Sequence, residues 1–375
     1  MIMTLNYQYG SMSRVVRGPP SRSQSLAIGL LGQAADILLE RNEVTVNSKD
    51  WAAELRMRKI GYAGEEVGLP LVLTWAQVEP GLPDIGVAAS LEATRFATGE
   101  VRRVLLDPDR LLLPECEWEE APRRCRIWCD SDAEFEELAA GLVERGILEE
   151  VDEDIAEATV LRDSLGRPLL AGMFGVEKPK DEPVLRDGVP WPVLRLIFYL
   201  VPPNATLKDF DADIRDLPSQ GQFGALALLD REIFLIGSRD RQCFFYVWRV
   251  PLSWRKLLFV NRVVVRDGRR KRLALTVVGM GLKPAVTITQ HLHRNILRAG
   301  ASRGMNISLD SEIRRQRPFP ISARSDQRSA WLVYVDDLKL AEIVDVNEAR
   351  VLQALEGLHA RGRGEVYGSW YPGQA

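Results

Sequence analysis

Residues 331–344 read W-L-V-Y-V-D-D-L-K-L-A-E-I-V, two apolar β-prone runs on either side of adjacent aspartates. The pattern predicts a β-hairpin whose tight turn carries Asp336 and Asp337. Two carboxylates on one turn repel each other unless a positive charge sits between them. A divalent cation is the usual answer, because hard cations take carboxylate oxygens. Asp favours turns for reasons of its own, so the alternative is an ordinary solvated turn. Tyr334, two residues before the pair, and the segments upstream favour the metal.

Working outward, the 375-residue chain is 46% hydrophobic and 27% charged, enough apolar surface for a sizeable core. No run approaches the length of a membrane span, and the polar N-terminus has no apolar stretch before a cleavage site, so neither a membrane protein nor a secreted one is expected. Four cysteines without a zinc-type C-x-x-C pair read as structural thiols in a reducing, intracellular setting. Net charge is −3, which excludes a uniformly basic nucleic-acid binder. The charge is uneven, however. Residues 171–375 hold 31 Lys+Arg against 22 Asp+Glu (+9), leaving 18 against 30 (−12) for residues 1–170. Such asymmetry hints at a polyanion partner for the basic part.

Along the chain, residues 25–41 carry helical periodicity, and residues 42–130 show a mixed pattern without recognisable chemistry. Ser131 and Glu134 have capping-box spacing ahead of a stripe of Phe135, Leu138 and Leu142, with Gly146 as the stop. Two strands are expected at 169–176 and 193–200, joined by a Pro/Gly-broken loop bearing Lys178, Lys180 and Arg186, a tip suited to phosphate or simply solvated. Residues 233–236 read as a short buried strand that ends just before Asp240, and the aromatic run at 243–248 as core. A second hairpin turns at Asp267-Gly268 and carries Arg269, Arg270, Lys271 and Arg272, either facing a nucleic-acid backbone or solvated. Gly279 to Lys283 leads into a helix with Ile288, Leu292 and Ile296 on its core face, whose His291 and His293 are too close in sequence to share a face as a metal pair. Asn347 is placed to cap a last helix.

Taken in order, these blocks resemble a reverse transcriptase of the retroelement type over residues 169–360, in particular the divergent kind found in protist retrotransposons. Tyr334-Val335-Asp336-Asp337 has the form Y-x-D-D; Arg195 to Asn204 looks like the fingers strand; Asp240 with Phe244-Phe245 is similar to the first palm block. Met280-Gly281-Leu282-Lys283 resembles the glycine block before a helix, and Cys243 to Tyr246 and Gln290 to Arg294 match C-F-F-Y and Q-H-L-H-R. The resemblance implies an α+β right-hand polymerase fold with an antiparallel palm sheet packed on helices. Residues 1–130 then have an unknown role, 131–207 are fingers-like and 208–375 form the palm. Only 375 − 337 = 38 residues follow Asp337, so the thumb is expected to be missing and the chain to be part of a longer polyprotein or a gene fragment.

The activity implied is RNA-directed DNA synthesis: transfer of a nucleotide from a dNTP to a primer 3′-hydroxyl on an RNA or DNA template. Asp240, Asp336 and Asp337 are the implied catalytic ligands of two Mg²⁺ ions, with Mn²⁺ as a substitute. Arg195 and Lys178, with Lys180 in reserve, would brace the triphosphate. Phe245 would gate against a ribose 2′-hydroxyl, Gly281 would admit template and nucleotide closely, and Tyr334 would lie under the primer end. Tyr199 and Val201 depart from the fingers pattern, Gly279 replaces a usual Pro and Leu282 a frequent Trp. These departures and the missing thumb leave open a degenerate, non-catalytic fragment that at most binds nucleic acid, and the acidic charge of residues 1–170 alone leaves open an interaction module there.

Overall fold

A computed structural model describes Gly29 and residues 70–345, apart from 179–181, 187, 219–221, 224–225, 227, 230, 302–307, 316 and 322–326. The helices expected near 25–41 and after Asn347 lie outside these residues, as does Lys180. The chain is a mixed α+β protein. Its main elements are, in order, β1 (Leu91–Glu92), α1 (Gly99–Leu106), α2 (Asp132–Glu144), β2 (Leu148–Asp152), α3 (Glu153–Thr159), β3 (Gly172–Glu177), β4 (Val184–Arg186), β5 (Val189–Trp191), β6 (Leu194–Tyr199), β7 (Glu232–Arg239), β8 (Trp248–Arg249), β9 (Phe259–Arg266), β10 (Arg269–Leu275), α4 (Ala285–Ala301), β11 (Ser329–Tyr334) and β12 (Asp337–Asp345). No helix among the described residues is long and apolar enough to cross a membrane.

Local signals account for most of these elements. Ser131 accepts the Glu134 amide at 3.1 Å and so caps α2, whose Phe135, Leu138 and Leu142 are buried; left-handed Gly146 follows its end. The β9–β10 hairpin turns on Asp267 and Gly268, both with positive φ, the conformation that a Asp-Gly pair adopts most readily in a two-residue hairpin. β3 and β6 pair antiparallel, and the chain then breaks at Pro202-Pro203 in a single helical turn, Val201–Asn204.

Three strands in the order β11–β12–β7 carry the stretch quoted at the outset. Its side chains alternate, as strand geometry requires. Trp331, Val333, Leu338 and Leu340 enter the main core, while Ala330, Leu332, Ala341 and Ile343 enter a second cluster with Phe223, Phe234 and Phe319 on the opposite face. Burial on both sides explains why the flanking runs are almost continuously apolar. β7 differs from expectation. It spans eight residues, is only half-buried, and exposes Ile236 by 50%, because it is the outer strand of its sheet.

Segments before residue 131 share the main core. Leu73, Leu91, Phe96, Val104 and Leu105 pack into it, β1 runs parallel to β8, and Leu71 bridges to Gly175. The basic β9–β10 hairpin is also accounted for within the chain. Arg266 pairs with Glu136 and Glu150, Arg270 with Glu153, Lys271 with Glu150 and Arg272 with Glu157; nearby, Arg255 meets Glu149 and Arg262 meets Asp132. The surplus positive charge of the second half and the surplus negative charge of the first thus meet across β2–β10. Among the described residues, part of the asymmetry in composition is an internal complementarity.

α4 is fixed on one flank by a buried ionic chain. Arg294, 2% exposed, lies 2.8 Å from Asp213 and 2.5 Å from Glu312, and Arg298 reaches Glu312 at 3.1 Å. Burial pushes the Asp213 carboxyl up, but the His291 hydrogen bond and the Arg294 charge outweigh it and hold it at about 2. Breaking a buried pair leaves charge without compensation. Arg294→Leu is therefore expected to remove about 3 kcal/mol of stability, seen as a lower urea midpoint at unchanged slope.

Candidate active site

β11 and β12 are joined by the shortest possible hairpin connection. Tyr334 pairs with Asp337, so Val335 and Asp336 alone form the turn. Val335 has φ of 57°, a left-handed conformation that a β-branched side chain resists, and such outliers cost about 1–3 kcal/mol. α4 supplies the compensation. The buried Gln290 side chain accepts the Val335 N–H at 2.6 Å and donates to the Val333 carbonyl at 3.0 Å. One helical turn later, His293 Nδ1 lies 2.7 Å from the Val335 carbonyl oxygen. A carbonyl can only accept, so the proton resides on Nδ1. Burial pushes this imidazole down to about 4, with the Arg241 charge assisting and the Val335 bond opposing. His293 is therefore neutral near pH 7. Residues 290 and 293 share a helix face by their spacing of three.

His291 faces elsewhere, as expected from its spacing to His293. Its Nδ1 meets Asp213 at 2.7 Å, and its Nε2 receives the Thr98 amide at 3.0 Å. α4 is thus pinned to the start of α1 on one face and to the catalytic candidate turn on another.

Asp240 follows directly on β7, whose last residue, Arg239, pairs with Leu338 of β12. This register brings Asp240 alongside the Asp336-Asp337 turn. Asp240 is exposed, whereas Asp336 and Asp337 are half-buried. Burial raises the Asp336 carboxyl, and the negative charges of Asp240 and Asp337 raise it further, against opposing hydrogen bonds from the turn's own backbone. Lys339 stands 4.0 Å from Asp337. Among the described residues no cation forms an ion pair with Asp240 or Asp336. The donor set is all carboxylate oxygen, which suits a hard divalent cation. Among the described residues, however, no three His, Cys, Asp or Glu side chains are drawn together tightly enough to hold a metal ion by themselves. The three carboxylates form an open rim, and a cation there would take further oxygen ligands from outside the chain. Cavities of about 390 Å³ beside Arg95 and Arg249 and about 550 Å³ beside Glu115 and Arg123 lie away from it.

Of the remaining candidates, Phe245 lies in the loop that follows Asp240, and Lys178 and Arg195 approach that loop. Tyr334 ends β11 and is 50% exposed. Phe245 is half-buried and packs edge-on against Phe244, ring centres 6.5 Å apart. Lys178 extends β3, its N–H bonded to the Val193 carbonyl and its ammonium close to Gly81 and to the Cys243 thiol. Arg195 lies on the open face of β6, near enough to influence the buried Tyr246 hydroxyl. The structure thus brings the two cations to the 243–246 loop and the three aspartates to the turn at its base. Gly281 has φ of 93°, where any Cβ is strained, and Asn204 locks it by donating to the Gly281 carbonyl at 2.7 Å while accepting the Lys283 amide at 2.8 Å. Sequence reading assigned no role to Asn204, Gln290 or His293. Their helix or loop spacing is visible in the chain, but their targets are backbone atoms 42 or more residues away.

Compared with protein-family models and with curated proteins, the chain finds no match in either.

The raised Asp336 carboxyl has a definite sign. An acid that ionises less readily folded than unfolded favours the fold below its ordinary pKa of 3.8 and opposes it as pH rises above that. Asp336→Asn is expected to stabilise the fold by about 0.5–1 kcal/mol at pH 7, allowing for solvent screening. The gain should vanish at pH 3, and urea melts at both pH values measure it.

Proposed function

We propose that the chain contains the fingers and palm of a retroelement-type RNA-directed DNA polymerase. One observation carries the reading: Asp240 ends a strand whose register sets it beside the Asp336-Asp337 turn, and Asp336 carries the electrostatic mark of both neighbours. The buried acids Asp163, Glu232 and Glu312 are each matched with arginine, whereas among the described residues no arginine pairs with these three aspartates, a grouping that suits an external cation.

In this reading Asp240 and Asp336 hold two Mg²⁺ ions, or Mn²⁺ in their place, with Asp337 as auxiliary ligand and substrate phosphates completing the coordination that the protein leaves open. When bound, the ions supply Lewis acidity at the attacking and leaving oxygens of an in-line displacement. The primer 3′-hydroxyl, losing its proton to solvent, attacks the α-phosphorus of a dNTP; a new phosphodiester forms as the bond from the α-phosphorus to the bridging oxygen breaks, and pyrophosphate departs. Lys178 and Arg195 face the triphosphate as point charge and planar fork respectively. Phe245 stands below the sugar, where its ring would collide with a 2′-hydroxyl. Exposed Tyr334 supports the primer end, and Gly281 offers backbone without a side chain to the incoming base pair. The rival reading, a remnant that binds nucleic acid through its basic half, draws little support, because the arginines of β9 and β10 are largely occupied by glutamates.

Primer extension on an RNA template with Mg²⁺ and dNTPs tests the assignment. Asp336→Asn and Asp240→Asn should each lower the rate by at least about 100-fold; undiminished extension in either would remove the metal assignment. Phe245→Ala should raise ribonucleotide relative to deoxynucleotide incorporation by about tenfold, and an unaltered ratio would count against the gate.

A further inference from the structure

The two acid-bearing segments are separate in sequence, and the backbone pairing of β7 with β12 ends at Arg239 and Leu338, just short of the acids themselves. Something beyond the ladder has to fix their spacing. One side chain touches both. His293 lies at 0% exposure beneath the site. Its Nδ1–H holds the Val335 carbonyl at 2.7 Å, one residue before Asp336. Its ring packs against Phe244 at 4.9 Å between centroids with an interplanar angle of 44°, four residues after Asp240. Phe244 is 2% exposed and is itself wedged edge-on against Trp248 at 5.6 Å, so this contact is anchored in the core.

We propose that His293 is a positioning residue: it ties the Val335 turn and the Asp240–Phe244 loop to one point on α4, and thereby sets the separation of the Asp240 and Asp336 carboxylates. The proposal rests on the polymerase reading for its functional consequence but not for its structural content. Three features of the side chain are needed together. A directed N–H restrains the left-handed turn, where the strain of Val335 would otherwise favour release. A flat ring fits against Phe244. Neutrality lets it sit buried in the same neighbourhood as the Arg241 guanidinium, itself only 8% exposed. Leucine matches none of these but volume; asparagine keeps a donor near the Nδ1 position and loses the ring. The hydrogen bonds of Gln290 go to the turn, at Val333 and Val335.

The test combines amide exchange with primer extension on the full chain. His293→Leu and His293→Asn are compared with Leu292→Ala, which removes buried apolar packing from the same helix and leaves the His293 ring and its N–H in place. In His293→Leu, protection should fall together at 333–337 and at 240–244, and kcat should drop at least about tenfold with KM for dNTP held within about twofold. His293→Asn should recover protection at the Val335 turn but not at 240–244. Exchange changes confined to one segment in His293→Leu, or a kcat loss no greater than in Leu292→Ala, would overturn the proposal. Should the wild-type chain extend no primer, the polymerase reading falls, and the paired or unpaired loss of protection alone decides whether His293 joins the segments.

Discussion

A valine held left-handed at the tip of β11–β12 is the constraint from which the site follows. Left to itself a β-branched residue avoids φ of 57°, and a two-residue turn ordinarily places glycine, asparagine or aspartate there. The conformation persists because Gln290 satisfies the amide and His293 the carbonyl, both from a helix that is buried and braced one residue further on by Arg294 with Asp213 and Glu312. The arrangement has a direction. Rigid ionic and apolar contacts fix α4, α4 fixes the Val335 backbone, and that backbone aims Asp336. Elements of regular structure therefore hold a side chain that sits on a loop, which is more precise than a loop restrained only by its own residues.

Much of this was legible in the chain. The alternating runs around Asp336-Asp337, the Ser131 cap, the Asp267-Gly268 turn and the stripe of Ile288, Leu292 and Ile296 are short-range signals, and short-range signals survive in a linear reading. The polarity of β7 was misread, since four consecutive apolar residues look the same on an outer strand as on a central one; only the sheet order shows that Ile236 faces solvent. Gln290 and His293 could be seen to share a helix face, but nothing in their neighbours told which backbone they would meet. The charge of the two halves is silent on its contacts for the same reason. Arg266 and Glu136 are 130 residues apart, and composition records a surplus without recording its partner.

The distribution of ion pairs separates structural acids from the others. Asp163, Glu232 and Glu312 are nearly inaccessible, and each is met by at least one arginine: Arg123 and Arg167, Arg328, and Arg294 with Arg298. Burying a carboxylate without such a partner is costly, so these pairings are what stability alone would select. Asp240, Asp336 and Asp337 obey a different logic. They are gathered on an accessible rim, burial and then the charges of Asp240 and Asp337 raise Asp336, and among the described residues the one ammonium paired with them is that of Lys339, 4.0 Å from Asp337. A surface under selection for stability would scatter these charges or interpose one of the chain's many arginines. Holding them together with a strained turn and a buried histidine means that the protein retains a local repulsion which its own side chains do not relieve. The rim is open toward solvent, and its carboxylate oxygens are the donor type that a hard cation would take.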